Sequence, residues 1–146
     1  MRYRVPVFIG ILTILINSSI LALLFHTFPW TAEATFPEGG VWWMGQGWAI
    51  RIAYVGLLAP VLEEVVFRGT LLGWFSKRGR EVPGLLVSGL AFGLYHMAFG
   101  WGWFKAVDMA FVGLVFGAVF LRYGLRGAAS CHVANNLMSL VLMEIY

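Results

Sequence analysis

Residues 5–28 read VPVFIGILTILINSSILALLFHTF, 24 positions without a Lys, Arg, Asp or Glu. As a helix rising ~1.5 Å per residue this run is roughly 36 Å long. That crosses a ~30 Å hydrocarbon core with some tilt. Arg2 and Arg4 precede it, as in a secretory leader. The apolar run is nevertheless longer than the ~7–15 residues of a leader core, and no A-x-A-like cleavage site follows it cleanly. It reads as a first transmembrane helix.

The remainder of the chain has the same character. Of 146 residues, 60% are hydrophobic and only 12% charged, against about 25% charged in an ordinary soluble domain. Mean hydropathy is +0.82. So few charges cannot cover the surface of a soluble globule of this size. The aromatic share of 16% excludes a disordered chain, and a single cysteine, Cys131, excludes a disulfide scaffold. The fold class is therefore all-α, a polytopic helical membrane protein sitting in a lipid bilayer. Its net charge of +3 reports loop topology, and no nucleic-acid partner is implied.

Beyond the first helix, residues 29–47 hold Pro29, Pro37 and Gly39-Gly40 and read as a loop. A second span runs from Trp48 to Phe75, and Pro60 within it predicts a kink or a break. Lys77–Arg80 is a basic turn, Val82–Met97 a third span and Phe99–Phe104 a short aromatic loop. Ala106–Leu121 is a fourth span, Arg122–Gly127 a second basic turn, and Ala128–Tyr146 a last helix. One integral membrane domain covers 1–146, with 1–47 as first helix and outer loop and 48–146 as a core. Seven of the 10 basic residues, Arg2, Arg4, Lys77, Arg78, Arg80, Arg122 and Arg126, fall on one side, which the positive-inside tendency makes the cytoplasm. Six of the 7 Trp lie in or beside the two opposite loops, as an outer interfacial belt. Five spans follow, with the N-terminus inside, the C-terminus outside, and a prokaryotic cell membrane as the expected setting.

Ionisable side chains at membrane depth cost several kcal/mol, yet Glu63, Glu64, Arg68, His96 and His132 fall within the spans. Glu64 and Arg68 stand four apart on one helix face and can neutralise each other. Glu63, rotated about 100° from Glu64, is left over. If Pro60 starts a new helical segment, both Glu lie in its first turn, where the helix dipole favours a carboxylate. Phe92 shares a face with His96, and Asn136 with His132. Each His alone reads as an interhelical hydrogen-bonder. Together with Glu63 and Asn136 they supply a base, a proton partner and oxyanion donors. Neither an H-E-x-x-H nor a C-x-x-C is present, so no local zinc signature exists. Glu63, His96 and His132 taken across helices keep a three-ligand zinc site open. Ser88 and Ser130 lack a nucleophile-elbow context, Cys131 reads as packing, and Gly113 with Gly117 as a close helix contact.

Depth poses a problem. Glu63 and His96 each lie 14 residues from the basic ends of their spans, about 21 Å. His132 lies six residues beyond Arg126, about 9 Å. The Pro60 break, strong tilts or a re-entrant Gly124–Ser130 stretch must bring them together.

Ala59-Pro-Val-Leu-Glu63-Glu64-Val-Val-Phe-Arg68-Gly69 resembles the E-E-x-x-x-R motif of the CAAX-protease and bacteriocin-processing family. Phe92-Gly-Leu-Tyr-His96 resembles its F-x-x-x-H motif, and His132-Val-Ala-Asn-Asn136 its third, in the family order. The resemblance covers roughly 48–146 and implies an intramembrane endopeptidase. It assigns water activation to Glu63 and His96, oxyanion stabilisation to His132 and Asn136, and bracing to Glu64 and Arg68, with Phe92 supporting. Members have been called both metalloproteases and glutamic proteases. Asn136, a poor ligand and a good oxyanion donor, favours the glutamic type with no cofactor. The implied partners are membrane-embedded or membrane-anchored peptides: a prenylated peptide, a leader peptide or a C-terminal sorting tail. With about five spans, the chain is short for the family, which suggests a minimal enzyme or a homodimer. The rival readings are a catalytically silent binding or immunity protein, a zinc-dependent version of the protease, and a small proton relay.

Overall fold

The first helix is there, and it hides very little of itself. In a computed structural model that describes residues 3–36 and 40–144, α1 runs Arg4–Thr27 and buries only Pro6, Gly10 and Ile14. Many of its other side chains, among them Phe8, Leu12, Ile16, Ile20 and Leu23, are exposed, as lipid contact allows. Arg2, Pro37–Gly39 of the predicted outer loop, and the last two residues of the predicted final helix lie outside the described residues. Among the described residues every regular element is helical.

The loop predicted over 29–47 is partly helical. It contains α2, Trp30–Glu33, and a 3₁₀ turn at Trp42–Gly45. Thr35 and Ala34 accept backbone hydrogen bonds from Gly102 and Phe104, both at 3.1 Å. The two Trp-rich loops thus meet at one end of the molecule. Trp30 stacks on Trp103 and Trp43 meets Trp101.

The second helical run does not break at Pro60. It alternates between two registers: α3 (Trp48–Arg51), a π segment (Ile52–Leu58), α4 (Ala59–Glu64), a second π segment (Val65–Leu72) and α5 (Gly73–Ser76). Proline in a helix lacks an N–H and its ring crowds the carbonyl four residues back. The wider π turn ahead of Pro60 absorbs that conflict without ending the helix. There is consequently no open helix N-terminus at Glu63 and Glu64, and the dipole support expected there is absent. Leu58, ahead of α4, is itself helical, and the first turn of α4 holds no acid.

Two further helices complete the fold. α6 spans Glu81–Ala98 and α7 spans Trp103–Leu142. α7 is two helices joined at one residue, Gly124, with φ 71° and ψ −175°. That left-handed φ is available to glycine at little cost. The predicted turn over Arg122–Gly127 therefore shrinks to one position. The Gly124–Ser130 stretch is helical beyond Gly124, so it is no re-entrant loop. Among the described residues two helices, α1 and α7, are long and apolar enough to cross a membrane.

α6 and the first part of α7 approach closely through glycines. A Cβ on Gly113 would lie 3.1 Å from Phe92 Cδ1 and 3.2 Å from Gly89 Cα, and one on Gly93 would collide with the Ala106 carbonyl. Gly113 and Gly117 thus do mark a close helix contact. On the other side, a Cβ on Gly10 would collide with the Cys131 carbonyl, which fixes α1 against the second part of α7. Phe67, Phe92, Val112, Phe116, Val119 and Cys131 form the core. In lipid such a core is held by close packing more than by exclusion of water.

Candidate active site

The second π segment carries Arg68 inward, and the side chain is fully buried with Glu64. Arg68 Nη1 donates to Glu64 Oε1 at 2.8 Å, and Nη2 to the Gly113 carbonyl at 2.8 Å. Its guanidinium lies over the Phe92 ring, 4.5 Å from the centroid, a cation–π contact that is strongest when desolvated. The expected Glu64–Arg68 pair is thus real, and it also ties the second helical run to α7. The Gly113 carbonyl is within reach because no side chain stands between the helices there.

His132 reaches the same carboxylate, so the depth problem is solved by the fold. Its Nδ1 lies 2.9 Å from Glu64 Oε1 and its Nε2 lies 3.6 Å from Glu63 Oε2. A carboxylate accepts, so Nδ1 carries the proton and donates to Glu64. Nε2 faces Glu63 at a distance too long for a direct hydrogen bond. Helix α7 restarts immediately after Gly124, and this places His132, about two helical turns on, beside both Glu.

His96 is oriented by its own helix. Its Nδ1 lies 2.9 Å from the Phe92 carbonyl, which can only accept. Nδ1 therefore holds the proton and Nε2 offers a lone pair. The rings of Phe92 and Phe116 flank His132, with centroids 5.6 and 4.3 Å away. Phe92 thus touches His96, His132 and Arg68 together.

Asn136 owes its position to Pro60. Within the first π segment the Ala59 N–H donates to the Tyr54 carbonyl, five residues back. The next bond in that series would run from residue 60 to the Val55 carbonyl, and Pro60 has no N–H to give. Asn136 Nδ2 donates to Val55 O instead, at 2.9 Å. Its second N–H is not used in that bond. Because Nδ2 faces Val55, Oδ1 faces Asn135, whose Nδ2 donates to it at 3.2 Å.

Glu63, His96, His132 and Asn136 all line one cavity of about 340 Å³. Glu64 and Arg68 do not line it. The cavity wall includes three residues singled out by no motif: Tyr95, Lys105 and Asn135. Tyr95 and Asn135 are chain neighbours of motif residues, and Lys105 is an isolated cation following the aromatic loop; those were the available signals. Ser88 is withdrawn from the cavity, buried with its hydroxyl donating to the Phe67 carbonyl at 2.9 Å. Cys131 is also buried. Among the described residues no three His, Cys, Asp or Glu side chains converge as a metal-ligand set. Glu63, His96 and His132 do not form such a set in this arrangement.

A family model, type II CAAX prenyl endopeptidase Rce1-like, matches residues 45–138. No curated protein and no solved structure matches the chain. The matched stretch contains all three motifs and leaves α1 outside.

Proposed function

Since the chain belongs to the type II CAAX prenyl endopeptidase Rce1-like family, we propose that it is a glutamic-type intramembrane endopeptidase acting on a membrane-embedded or membrane-anchored peptide. The observation that carries this reading is the division of two adjacent carboxylates. Glu64 is consumed by Arg68 and His132, while Glu63 faces the cavity with His96.

In the reaction, Glu63 takes a proton from water as the water oxygen attacks the scissile carbonyl carbon. The His96 Nε2 lone pair orients that water. The carbonyl oxygen becomes an oxyanion, and the free N–H of Asn136 donates to it. His132 already donates from Nδ1 to Glu64, so its Nε2 can donate as well only as an imidazolium. Glu64 is the counter-charge that such a cation requires. Glu63 then passes its proton to the departing amine, the C–N bond breaks, and the carboxylate is restored. The products are one amine and one carboxylic acid.

The wider reading is a single membrane domain of five spans with the basic ends cytoplasmic and the Trp-rich end outside. The shared end of the two Trp-rich loops supports it. Labelling from outside should reach a cysteine placed at Gly45, where a side chain meets nothing within 4 Å, and miss one at Gly79; the reverse pattern overturns this orientation. A prenylated peptide, a leader and a C-terminal sorting tail all fit as substrate classes.

The test of the chemistry is one cleavage assay at matched protein levels. Glu63→Ala and His96→Ala should abolish cleavage, and His132→Ala nearly so. Ser88→Ala and Cys131→Ala should retain it. A dead Ser88→Ala or Cys131→Ala beside an active Glu63→Ala would replace activated water with a covalent nucleophile.

A further inference from the structure

Asn135 carries a polar atom that the fold leaves unanswered. The residue is 6% exposed and lines the same cavity as Glu63 and His96. Among the described residues nothing pairs with its Oδ1. A buried amide oxygen without a donor is costly to keep, and packing does not call for it, since a leucine has much the same shape. Which atom of the amide is left over follows from a chain of polarity that starts at a backbone carbonyl. The Val55 carbonyl can only accept, so Asn136 turns Nδ2 towards it, at 2.9 Å. Asn136 Oδ1 then faces Asn135 and can only accept, so Asn135 turns its own Nδ2 there, at 3.2 Å. What remains is Asn135 Oδ1, an acceptor with no N–H. The N–H missing at Pro60 is thus felt through both asparagines in turn. On the far side α1 lies tight against the same residue, where a Cβ on Gly10 would stand 3.2 Å from the Asn135 backbone nitrogen. A donor for Asn135 therefore has to come through the cavity.

We infer that Asn135 Oδ1 accepts the backbone N–H of the substrate residue whose carbonyl is attacked, and so positions that carbonyl for Asn136. The inference rests on the peptidase reading above. In an extended chain the N–H and C=O of one residue point to the same side, as they do when a residue of an antiparallel ladder exchanges both bonds with its partner. Asn136 holds a free N–H and Asn135 a free oxygen, on two amides joined by a hydrogen bond. Together they offer one donor and one acceptor to a single residue of an extended peptide. At membrane depth a freed backbone N–H needs such a partner. The contact also sets a specificity. The residue before the scissile bond must bring an N–H, so proline, which has none, and N-alkylated residues are refused there.

Exchanging a peptide's amide for an ester tests this, because it removes one N–H and hardly changes shape. The full chain carrying Glu63→Gln, which cannot cleave by the proposed chemistry, is held in detergent micelles with a fluorescent peptide ending in a farnesylated C-a-a-X sequence. The ester is moved one bond at a time along the peptide, and binding is read by fluorescence anisotropy. One ester position should bind about tenfold more weakly than the all-amide peptide. Adding Asn135→Ala should weaken the all-amide peptide and erase that difference, so that the two bind within about twofold of each other. Asn135→Leu, of similar shape and without an acceptor, should do the same. An Asn135 that acted only by holding Asn136 would weaken amide and ester peptides equally and leave the difference standing. With Glu63 intact, product masses should place the cut immediately after the residue whose N–H was needed. No sensitive position, a difference that survives both Asn135→Ala and Asn135→Leu, or a cut elsewhere in the peptide would each overturn the contact. A peptide that shows the Asn135-dependent position and is left uncut would count against the peptidase reading and leave the contact in place.

Discussion

Glu63 and Glu64 are adjacent in sequence and belong to different regions of the molecule. On the Glu64 side the polar groups are locked: a carboxylate shared by Arg68 and His132, a guanidinium on the Gly113 carbonyl, and aromatic rings around them. On the Glu63 side they are left with capacity to spare: a carboxylate whose His132 contact is 3.6 Å, and a His96 ring with one nitrogen unused. A helix turns successive side chains by about 100°, so one residue of displacement separates scaffold from cleft. The lesson is that charge at membrane depth is affordable when a neighbouring pair of charges is spent on holding the fold. Glu63 then sits beside a fixed ion pair without being part of it.

That contrast is broken most severely by exchanging roles. Glu64→Gln leaves the Arg68 guanidinium without its counter-charge in a dry interior, a loss of ~3–5 kcal/mol. The expected outcome is a sharp fall in thermal unfolding temperature and in membrane abundance. Glu63→Gln should instead abolish cleavage at near-normal abundance. The double variant Glu64→Gln with Arg68→Met should regain part of the stability, because it removes both charges. Strict additivity of the two single changes would show that the pair is not coupled.

Asn136 stands on the boundary between the two regions, and it can be made to separate them. Asn136→Ala should lower turnover by ~10²–10³ through loss of an oxyanion donor. It should also cost about 1–3 kcal/mol, because the Val55 carbonyl is left unpaired. Pro60→Ala supplies a backbone N–H at the position where the π series lacks one. Added to Asn136→Ala it should restore stability and leave turnover low. Recovery of turnover as well would mean that Asn136 acts only by holding the first π segment in shape.

Metal removal sharpens the same division. The donor set on the Glu63 side does not converge as a ligand shell among the described residues, so chelators should leave turnover unchanged. One tightly bound metal per chain, with turnover lost on chelation and regained on metal addition, would turn Glu63, His96 and His132 into ligands.

Much of this was readable in the sequence, and what was not has a physical reason. Helical runs, the Glu64–Arg68 pair and the glycine contact at Gly113 depend on local spacing, which a chain displays openly. The register of the second helical run does not. Pro60 announced a disturbance, but whether the helix breaks or widens depends on a partner for Val55, and that partner lies 81 residues further along the chain. Gly124 was visible as part of a basic turn, whereas its left-handed φ, which lets α7 resume at once and bring His132 to both Glu, was not. The missing helix terminus at Glu63 follows from the same register change. Asn135 and Lys105 went unnoticed because nothing in their spacing distinguishes a cavity wall from packing.

Ser88 provides the smallest and most discriminating comparison. Like Asn136, it donates from another helix to a carbonyl of a π segment, here Phe67 at 2.9 Å. Unlike Val55, Phe67 is followed five residues later by Leu72, which has an N–H and completes the π bond. The Phe67 carbonyl therefore has two donors, and losing the serine leaves one. Its own hydroxyl disappears with the substitution, so no buried donor is stranded. Ser88→Ala should cost about 1 kcal/mol or less and leave cleavage intact, against the larger cost of Asn136→Ala. Thermal unfolding of the two variants in one detergent decides the matter. If Ser88→Ala is as costly as Asn136→Ala, the absence of an N–H at Pro60 is not what makes Asn136 necessary, and the link from proline to π turn to Asn136 fails.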